Sequence, residues 1–582
     1  MLSLALPAAA RSVPDSPTLS TTSRLDDRRF VTTGDRAYEV GTEAGRYPAM
    51  GFHTRGEMGG VWSPPIKLLD GIWFGIDDEW IGPATKFTSG YGHVKMDLPG
   101  RDGLRVSRTD FVPDGKRAVL VGLKFAAGDA NQSFALKMDA HSELMGVYPW
   151  GETTPSQTEF NLQDSVAVEG GKLVFRENGK PVTNAEPHDW AAVVGSTRTP
   201  TSSETGADYR RPQDPPVICP ASGPDTPDPP DLCDDTDYGN AVYTIRGLYD
   251  LADMARSKGD EATANWAEDK ASGMRSRFEA AWWFGRQGAT QYADSLDDPG
   301  NEQVFQRHWI GVTPMDVDLI GKAGDTNPGL ASYPHGSAAL VERELACYTD
   351  RFGMYHTGTG PTIDGVDDTQ PFCDSHESEV PAERNIFTLN TAIMAVGEGN
   401  YGRLGDDQQR HYTDANADLQ LIPDEQPGAM PEIAPSPDYG RSIDNPFNER
   451  AMVLQAWGAY GTIWPVVHQQ LGIRPDMGRD ELEVVPQVPP GSPGVSGKNI
   501  RLGRGSVAVS ADHDGRTYTT KVSTGLDVDL TIGHTIPRGA NVDSVKLDGR
   551  NVRYHVRTTN RGKEVFAHAP TTGAQTLVVK VQ

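Results

Sequence analysis

Residues 240–282 read NAVYTIRGLYDLADMARSKGDEATANWAEDKASGMRSRFEAAW, and this stretch decides the class of the central fold. Apolar side chains recur at spacings of three and four, first at Ile245, Leu248, Ala252 and Ala255, then at Ala267, Ala271, Met274, Phe278 and Ala281. Such a period is typical of amphipathic helices. Gly259 separates the two runs and Asp260 is a helix-capping residue. The stretch therefore predicts an antiparallel α/α-hairpin with a tight turn.

The helical pattern continues from this hairpin to about residue 479. Further helices are predicted over 337–348, 383–398, 406–421 and 447–471. Pro465 should kink or end the regular part of the last helix, because proline has no N–H to donate. Together these segments make about six helices in three antiparallel pairs. Residues 240–479 are thus predicted to form a domain of α/α-hairpins.

Strand patterns lie on both sides of the helices. Residues 26–200 hold short alternating segments separated by Asp-Gly and Gly-Gly turns, which predicts an N-terminal antiparallel β-sandwich. Residues 495–582 alternate in the same way and predict a small C-terminal β-sandwich. The stretches 201–239 and 480–494, rich in Pro, are predicted linkers. The predicted fold class is therefore multidomain α and β.

The overall composition excludes several classes of function. The chain has 582 residues, 54 Lys plus Arg against 80 Asp plus Glu, and a net charge of −26. Nucleic-acid binding needs a basic surface, so we expect no nucleic-acid partner. No run of ~18 apolar residues is present, so we expect no membrane partner.

The N-terminus and the cysteines indicate a secreted protein. Residues 1–25 are predicted to be a signal remnant and a flexible tail, because an apolar run from Leu2 ends in small residues at Ala10. The four cysteines lack metal-binding spacing; they are Cys219, Cys233, Cys347 and Cys373. Pairs between neighbours in the sequence would fit an oxidising compartment, although four cysteines allow three pairings.

Two motifs carry no cofactor or metal prediction. Residues 397–402 match G-x-G-x-x-G, but they end a predicted helix where a dinucleotide site would follow a strand. The acidic residues between Asp364 and Glu377 lack the spacing of a calcium loop and favour a solvated loop. We therefore expect neither a cofactor nor a metal ion.

The segment around Glu432 has the character of a catalytic loop. Glu432 follows Met430-Pro431, and prolines at 427, 431, 435 and 437 restrict the backbone around it. A carboxylate on a stiff loop is held in place before the reaction begins. Trp457 and two tyrosines follow, and aromatic faces suit sugar rings. Spacing alone leaves a solvated loop as the alternative.

This segment resembles a known family. Met430-Pro431-Glu432-Ile433, followed by Leu454-Gln455-Ala456-Trp457, is similar to the catalytic segment of glycogen debranching proteins of the amylo-α-1,6-glucosidase type. These belong to the six-hairpin (α/α)6-barrel glycosidases. The stretches 55–62, 108–115, 240–248 and 383–390 resemble further parts of secreted bacterial members.

The resemblance implies an inverting glycoside hydrolase acting on an oligo- or polysaccharide. In that mechanism one carboxylate activates water and a second protonates the leaving oxygen. By the family motif, Glu432 would be the general base. Residues with an implied role in substrate binding are Trp62, Gln306, His308, Trp309 and Trp457.

The family motif does not identify the general acid, because the pattern holds about six helices where an (α/α)6 barrel needs twelve, and the first half of the barrel is the part without a match. Asp237, with Asp234 and Asp235 as alternatives, precedes the first helix and is the candidate acid. A half-barrel would have open apolar flanks. Three arrangements would follow: an inactive, partly folded half-barrel, self-association of two halves into a ring, or coverage of the gap by the β-sandwich.

Two other classes of function stay open at this stage. One is a carbohydrate-binding protein without catalysis, which the apparent loss of the acid favours. The other is a polysaccharide lyase or a glycoside phosphorylase on a related α-toroid. The acidic balance disfavours a lyase, because lyases need a basic groove for uronates.

Overall fold

The computed structural model describes most of the chain, with gaps. The described residues are 18–26, 28–47, 59–90, 92–101, 103–128, 132–146, 162–180, 187–206, 236–286, 289–297, 302–305, 307–319, 329–345, 349–350, 353–355, 385–419, 430, 432–435, 456–503, 505–569 and 573–582. The chain divides into two compact units. The first comprises Met1–Gly223, Gln420–Ala429 and Asn448–Leu454, and the second comprises Pro224–Leu419, Met430–Phe447 and Gln455–Gln582.

The first unit is built from antiparallel strands. These are β1 (Leu19–Thr21), β2 (Arg29–Thr33), β3 (Tyr38–Thr42), β4 (Gly60–Ser63), β5 (Ile66–Ile76), β6 (Glu79–Trp80), β7 (Lys86–Gly90), β8 (His93–Leu98), β9 (Arg105–Phe111), β10 (Leu120–Ala126), β11 (Leu136–Gly146), β12 (Ser165–Glu169), β13 (Lys172–Gly179) and β14 (His188–Val194). They form sheets in the orders β1-β7-β8-β9-β10, β11-β5-β4-β3-β2 and β12-β13-β14, with β6 beside β5.

The alternating pattern of the sequence explains these sheets. In β9 every second residue is buried, as expected for a strand with one face on a core. The prediction of a flexible tail over residues 1–25 is wrong for Leu19–Thr21. This strand, β1, pairs with β7, and the Ser20 and Thr88 hydroxyls lie 2.8 Å apart. Buried ion pairs add to the core, including Arg28 Nε with Glu43 Oε2 at 3.0 Å.

The second unit begins with helices. These are α1 (Thr236–Ser257), α2 (Glu261–Trp282), α3 (Thr313–Asp316), α4 (Tyr333–Arg343), α5 (Thr388–Asn400), α6 (Gln409–Leu419) and α7 (Ala456–Trp464). A 3-10 turn, Trp309–Val312, precedes α3, and a π-helical turn, Pro465–Gln470, follows α7. Short strands between helices are β15 (Ser295–Asp297), β16 (Glu302–Val304), β17 (Thr349–Asp350), β18 (Gly353–Met354), β19 (Asn385–Phe387) and β20 (Ile433–Pro435).

The predicted α/α-hairpin is confirmed in α1 and α2. Asp260 caps α2 by accepting a hydrogen bond from the Thr263 N–H at 3.1 Å. Gly259 has φ +77°, a conformation that glycine adopts without strain. The first helix starts earlier than expected, at Thr236, inside the predicted linker 201–239.

Other predicted helices differ from the structure at their ends. The helix over 337–348 begins at Tyr333, because Pro334 suits a first helical turn. The helix over 383–398 is wrong at its start, since β19 pairs there with β20. The helix over 406–421 is limited to α6. Residues 447–455 lie outside the described part of the chain, and the effect of Pro465 is confirmed because α7 ends at Trp464.

Helices α5, α6 and α7 alternate in direction. The Gln409 side chain donates to the Ala395 carbonyl at 3.2 Å, and Asn416 donates to the Thr388 carbonyl at 3.2 Å, so α6 is antiparallel to α5. Asn416 also donates to the Gly458 carbonyl at 3.1 Å, which places the starts of α5 and α7 together. Helices α5 and α7 are therefore parallel, and α6, which lies between them in the sequence, runs the opposite way. An α/α-toroid is built by repeating this arrangement. Closure of such a toroid stays a prediction.

A β-sandwich completes the second unit. Its strands are β21 (Ile473–Asp476), β22 (Glu481–Val484), β23 (Val495–Leu502), β24 (Gly505–Asp514), β25 (Thr517–Thr524), β26 (Asp529–Ile536), β27 (Val542–Leu547), β28 (Arg550–Asn551), β29 (His555–Thr559), β30 (Gly562–Ala569) and β31 (Gly573–Val581). The sheet orders are β21-β22-β26-β30-β29 and β23-β24-β25-β31-β27-β28. Strand β22 falls within the predicted linker 480–494 and pairs in parallel with β26.

The predicted fold class is confirmed by this order of elements. Sheets that are mainly antiparallel stand at both ends of the chain, and helices occupy the middle. The sandwich contacts the helical region through polar bonds, such as that from Asn560 Nδ2 to the carbonyl of Ala331, which precedes α4, at 3.1 Å. Within the described residues, no helix has the length and apolar character needed to cross a membrane.

Candidate functional site

Glu432 is fixed at the start of α5 by its main chain. The Thr388 N–H and hydroxyl both donate to the Glu432 carbonyl, at 3.1 and 3.2 Å. The next residue, Ile433, pairs with Phe387 across β19 and β20. Glu432 itself is half-buried, and Met430 is buried. The strand pair therefore holds this carboxylate-bearing residue against the first turn of α5.

Gly458 allows α7 to approach Glu432 closely. A Cβ atom at this position would lie 2.6 Å from Met430 Cγ and 2.8 Å from Thr388 Oγ1. Both distances are too short for real contacts between carbon and these atoms. The glycine thus brings α7 against the two residues that hold the Glu432 segment.

Three aromatic rings lie beside this segment and form an aromatic wall, defined as Trp309, Phe387 and Trp457. The rings of Trp309 and Phe387 meet edge to face at 5.1 Å, and those of Phe387 and Trp457 at 6.2 Å. Phe387 is buried, Trp309 is half-buried and Trp457 is 39 % exposed. Edge-to-face contacts are a favoured arrangement for aromatic rings, so the wall is rigid yet partly open to solvent.

His308 contacts the aromatic wall through Trp309. Its ring centre lies 5.6 Å from that of Trp309, and its carbonyl accepts a hydrogen bond from Arg343 Nη2 at 3.0 Å. Arg343 is buried and also bonds Gln291 Oε1 at 2.8 Å. This bonding holds the chain in place just before the 3-10 turn that starts at Trp309.

Asp316 is a further carboxylate in this unit, and the sequence analysis missed it. Tyr460 Oη donates to its Oδ1 at 2.9 Å, and Tyr243 Oη donates to its Oδ2 at 3.2 Å. Burial raises the pKa of Asp316 to about 6, against the lowering effects of the two tyrosine hydrogen bonds and of Arg246. A protonated fraction is therefore present at mildly acidic and neutral pH.

The structure brings together four of the predicted residues, namely Glu432, His308, Trp309 and Trp457. Trp62 belongs to the first unit, where it is 4 % exposed and its ring stacks on Tyr38 at 6.1 Å. Its role in substrate binding stays a prediction, as do the roles of the other candidates.

For two predicted residues, Gln306 and Asp237, the structure describes no side-chain contacts. Gln306 lies outside the described residues. Asp237 is the second residue of α1, but its side chain lies outside the described part, as do Asp234 and Asp235. The four cysteines and the acidic loop from Asp364 to Glu377 also lie outside it. Among the described residues, no group of three or more His, Cys, Asp or Glu is placed to hold a metal ion.

Comparisons with known proteins leave the family open. The sequence matches no protein-family model and no curated protein. Solved structures with a partial likeness include a sialidase (13 % identity, TM-score 0.35), covering 56 % of this chain and 26 % of the sialidase.

Two α-L-rhamnosidases show a similar partial likeness. The enzyme from Dictyoglumus thermophilum has 10 % identity and a TM-score of 0.32, with 58 % of this chain and 31 % of that one covered. The enzyme from Streptomyces avermitilis, complexed with L-rhamnose, has 14 % identity and a TM-score of 0.30, with 58 % and 26 % covered. The chain thus spans less than a third of the length of each of these three structures. Likenesses this weak carry no information about the function of this chain.

Proposed function

We propose that the protein is a glycoside hydrolase of the debranching type that inverts the configuration of the sugar, with Glu432 as the general base. The observation that carries this proposal is the position of Glu432 beside the aromatic wall. A residue that carries a carboxylate, held by its main chain next to Phe387 of this wall, combines a proton acceptor with a surface that suits a sugar ring.

In the proposed reaction Glu432 takes a proton from a water molecule while the water oxygen attacks the anomeric carbon. An inverting enzyme needs a second carboxyl group ~6.5–9.5 Å away to protonate the leaving oxygen. The sequence proposes Asp237 for this acid. The substrate is an oligo- or polysaccharide, and the bonds to Thr388 hold Glu432 in place without reorganisation during the reaction.

The test is release of reducing sugar from a panel of α-glucans and of plant and bacterial oligosaccharides. The proposal predicts turnover of at least one α-linked substrate by the unmodified protein. If no member of the panel is cleaved by a protein that circular dichroism shows to be folded, the proposed activity is wrong.

Trp457→Ala tests the aromatic wall. Loss of a stacking surface worth about 1 kcal/mol should raise KM several-fold and leave kcat less affected. Trp266→Ala is the matched control, since Trp266 is 53 % exposed on α2. We expect this control to keep the KM of the unmodified protein. An equal KM for the Trp457→Ala and Trp266→Ala variants would show that the aromatic wall does not bind the substrate.

A second candidate function is carbohydrate binding without catalysis. The partly exposed Trp457 favours it, because an aromatic surface binds sugars without any acid. It predicts retardation on a glycan affinity gel with no sugar release. This function would be supported if the unmodified protein released no sugar from the panel but was retarded on the gel, and if Trp457→Ala abolished the retardation.

Two further proposals concern location and assembly. Secretion is proposed from the apolar run at Leu2–Ala10 and from the cysteines, which all lie outside the described residues. Self-association through open barrel flanks is proposed because apolar side chains on and after α7 are exposed, with Ile463 at 60 %.

A further inference from the structure

The backbone of Arg307 has a conformation that a residue with a bulky side chain rarely adopts. Its φ is +58°, in the left-handed region, where the Cβ atom crowds the carbonyl oxygen that follows. Arg307 is fully buried and lies between β16 and the 3-10 turn that begins at Trp309. Backbone strain of this kind persists only where surrounding contacts hold it, and it is common at functional sites. The residues that hold Arg307 in place are therefore candidates for a role in function.

A buried ion pair holds the Arg307 side chain. Its Nη1 donates to Glu342 Oε1 at 2.9 Å, and the two side chains are 0 % and 6 % exposed. The other oxygen of this carboxylate, Oε2, accepts a hydrogen bond from the Thr290 hydroxyl at 2.8 Å. The guanidinium also lies over the Phe305 ring, with its Cζ 5.2 Å from the ring centre. Glu342, near the end of α4, thus ties two separate segments of the chain to this helix.

The main chain of His308, the next residue, is held on both sides. Its carbonyl accepts a hydrogen bond from Arg343 Nη2 at 3.0 Å, and its N–H donates to Asp294 Oδ2 at 3.4 Å. A Cβ atom at Gly311 would lie 2.5 Å from Arg343 Nη2, so the glycine gives the guanidinium room beside the 3-10 turn. The chain is therefore fixed immediately before Trp309.

We infer that Arg307 and Glu342 are positioning residues for substrate binding, because they hold the chain that carries Trp309 into the aromatic wall. This inference rests on the proposed function, in which Trp309 contacts the sugar. The left-handed residue sets the direction in which the chain leaves β16, and the ion pair keeps that direction. Both residues are buried, so they act through Trp309 and not by contact with the sugar.

The combination of an ion pair with a strained residue points to geometry as their role. A buried ion pair alone is weak evidence for stability, because the loss of hydration offsets the attraction between the charges. A strained backbone lowers stability as well. Both features stand next to each other, directly before a residue of the aromatic wall. Together they fix one conformation of the chain at the place where a sugar would bind.

Glu342→Gln tests the inference through KM. The amide keeps the size of the carboxylate but loses the charge that pairs with Arg307, so the chain before Trp309 should loosen. For an oligosaccharide that the unmodified protein cleaves, KM should rise several-fold while kcat changes less, because binding and not the chemical step is affected. The measurement is the rate of sugar release over a range of substrate concentrations.

Glu43→Gln is the matched control. Glu43 is also fully buried and pairs with an arginine, Arg28, but it belongs to the first unit. This variant should keep the KM of the unmodified protein. Denaturant unfolding of both variants is measured as well, so that a loss of stability is not mistaken for a change in binding. An equal KM for Glu342→Gln and Glu43→Gln would overturn the inference.

A double-mutant cycle shows whether Glu342 acts through Trp309. In a protein that already carries Trp309→Ala, the change Glu342→Gln should raise KM no further, because two residues that act as one unit are not additive. Additive effects of the two changes would overturn the inference. Arg307→Lys keeps a positive charge for Glu342 and should raise KM less than Arg307→Met does. This comparison tests the inference even if Glu342→Gln does not fold.

The outcomes separate the inference from the proposed function. If the unmodified protein cleaves no sugar but is retarded on a glycan affinity gel, the proposed activity is wrong. The Kd from the gel then replaces KM in the same cycle, and the same rule decides the inference. Neither cleavage nor retardation overturns both. Cleavage with additive effects of Glu342→Gln and Trp309→Ala overturns the inference alone.

Discussion

Glu432→Gln should lower kcat/KM for sugar release by about 10²–10⁴-fold, the usual contribution of a general base. The amide has nearly the size of the carboxylate, so the strand pair and the Thr388 bonds to the main-chain carbonyl should survive. What the amide loses is the ability to take a proton from water. The measurement is the initial rate of reducing-sugar release at several substrate concentrations, where kcat should fall and KM should change little.

Glu481→Gln is the control for this experiment. Glu481 is exposed on β22 in the same unit, so its replacement should leave the rate unchanged. Equal rates for the two variants would mean that another group activates the water. Thermal unfolding of both proteins is measured alongside, so that a change in rate is not mistaken for a loss of folded protein.

Glu564→Gln should strongly lower the free energy of unfolding of the protein. Glu564 is fully buried on β30 and accepts hydrogen bonds from Arg474 Nη2 at 2.9 Å and Arg557 Nε at 2.7 Å. Arg561 Nε lies 3.4 Å from the same carboxylate. Removing this charge takes the most buried counter-ion from three arginines, which keep only the half-buried Glu483 and Asp318. Breaking a buried ion pair costs about 3–5 kcal/mol in the free energy of unfolding.

Denaturant unfolding followed by circular dichroism measures this effect, with Glu481→Gln as control again. The three arginines hold the pKa of Glu564 well below its usual range, although burial opposes them. The stabilisation is therefore present above the unfolded pKa of about 4.3 and is lost as the pH falls below it. An unfolding midpoint for Glu564→Gln equal to that of the control would show that the ion cluster adds nothing.

Local signals predicted much of the fold. Asp260 and Gly259 defined the turn between α1 and α2, because a cap and a positive φ depend only on neighbouring residues. The Asp548-Gly549 turn defined the hairpin between β27 and β28 in the same way, and Gly549 has φ +78°.

Elements that depend on distant partners were missed. The strand β19 interrupts an apolar helical pattern because β20, far along the chain, pairs with it. The sheet of β21 and β22 begins before the predicted domain because β26 pairs with β22. No local pattern contains this information, since the pairing free energy belongs to residues that are distant in the sequence.

The candidate site shows the same division. The resemblance singled out Glu432, Trp309 and Trp457, which the structure brings to one place. Asp316 escaped notice because its hydrogen-bond partners Tyr243 and Tyr460 are 73 and 144 residues away. A lone Asp after Pro314-Met315 carries no motif, and only the fold gives it two phenol donors.

The configuration of the first product tests the central claim most directly. Proton NMR during cleavage of an α-linked substrate reports the anomer before mutarotation. If Glu432 activates a water molecule for direct attack, the released sugar appears first as the β-anomer. The α-anomer as first product would mean retention through a covalent intermediate, which contradicts a general base at Glu432.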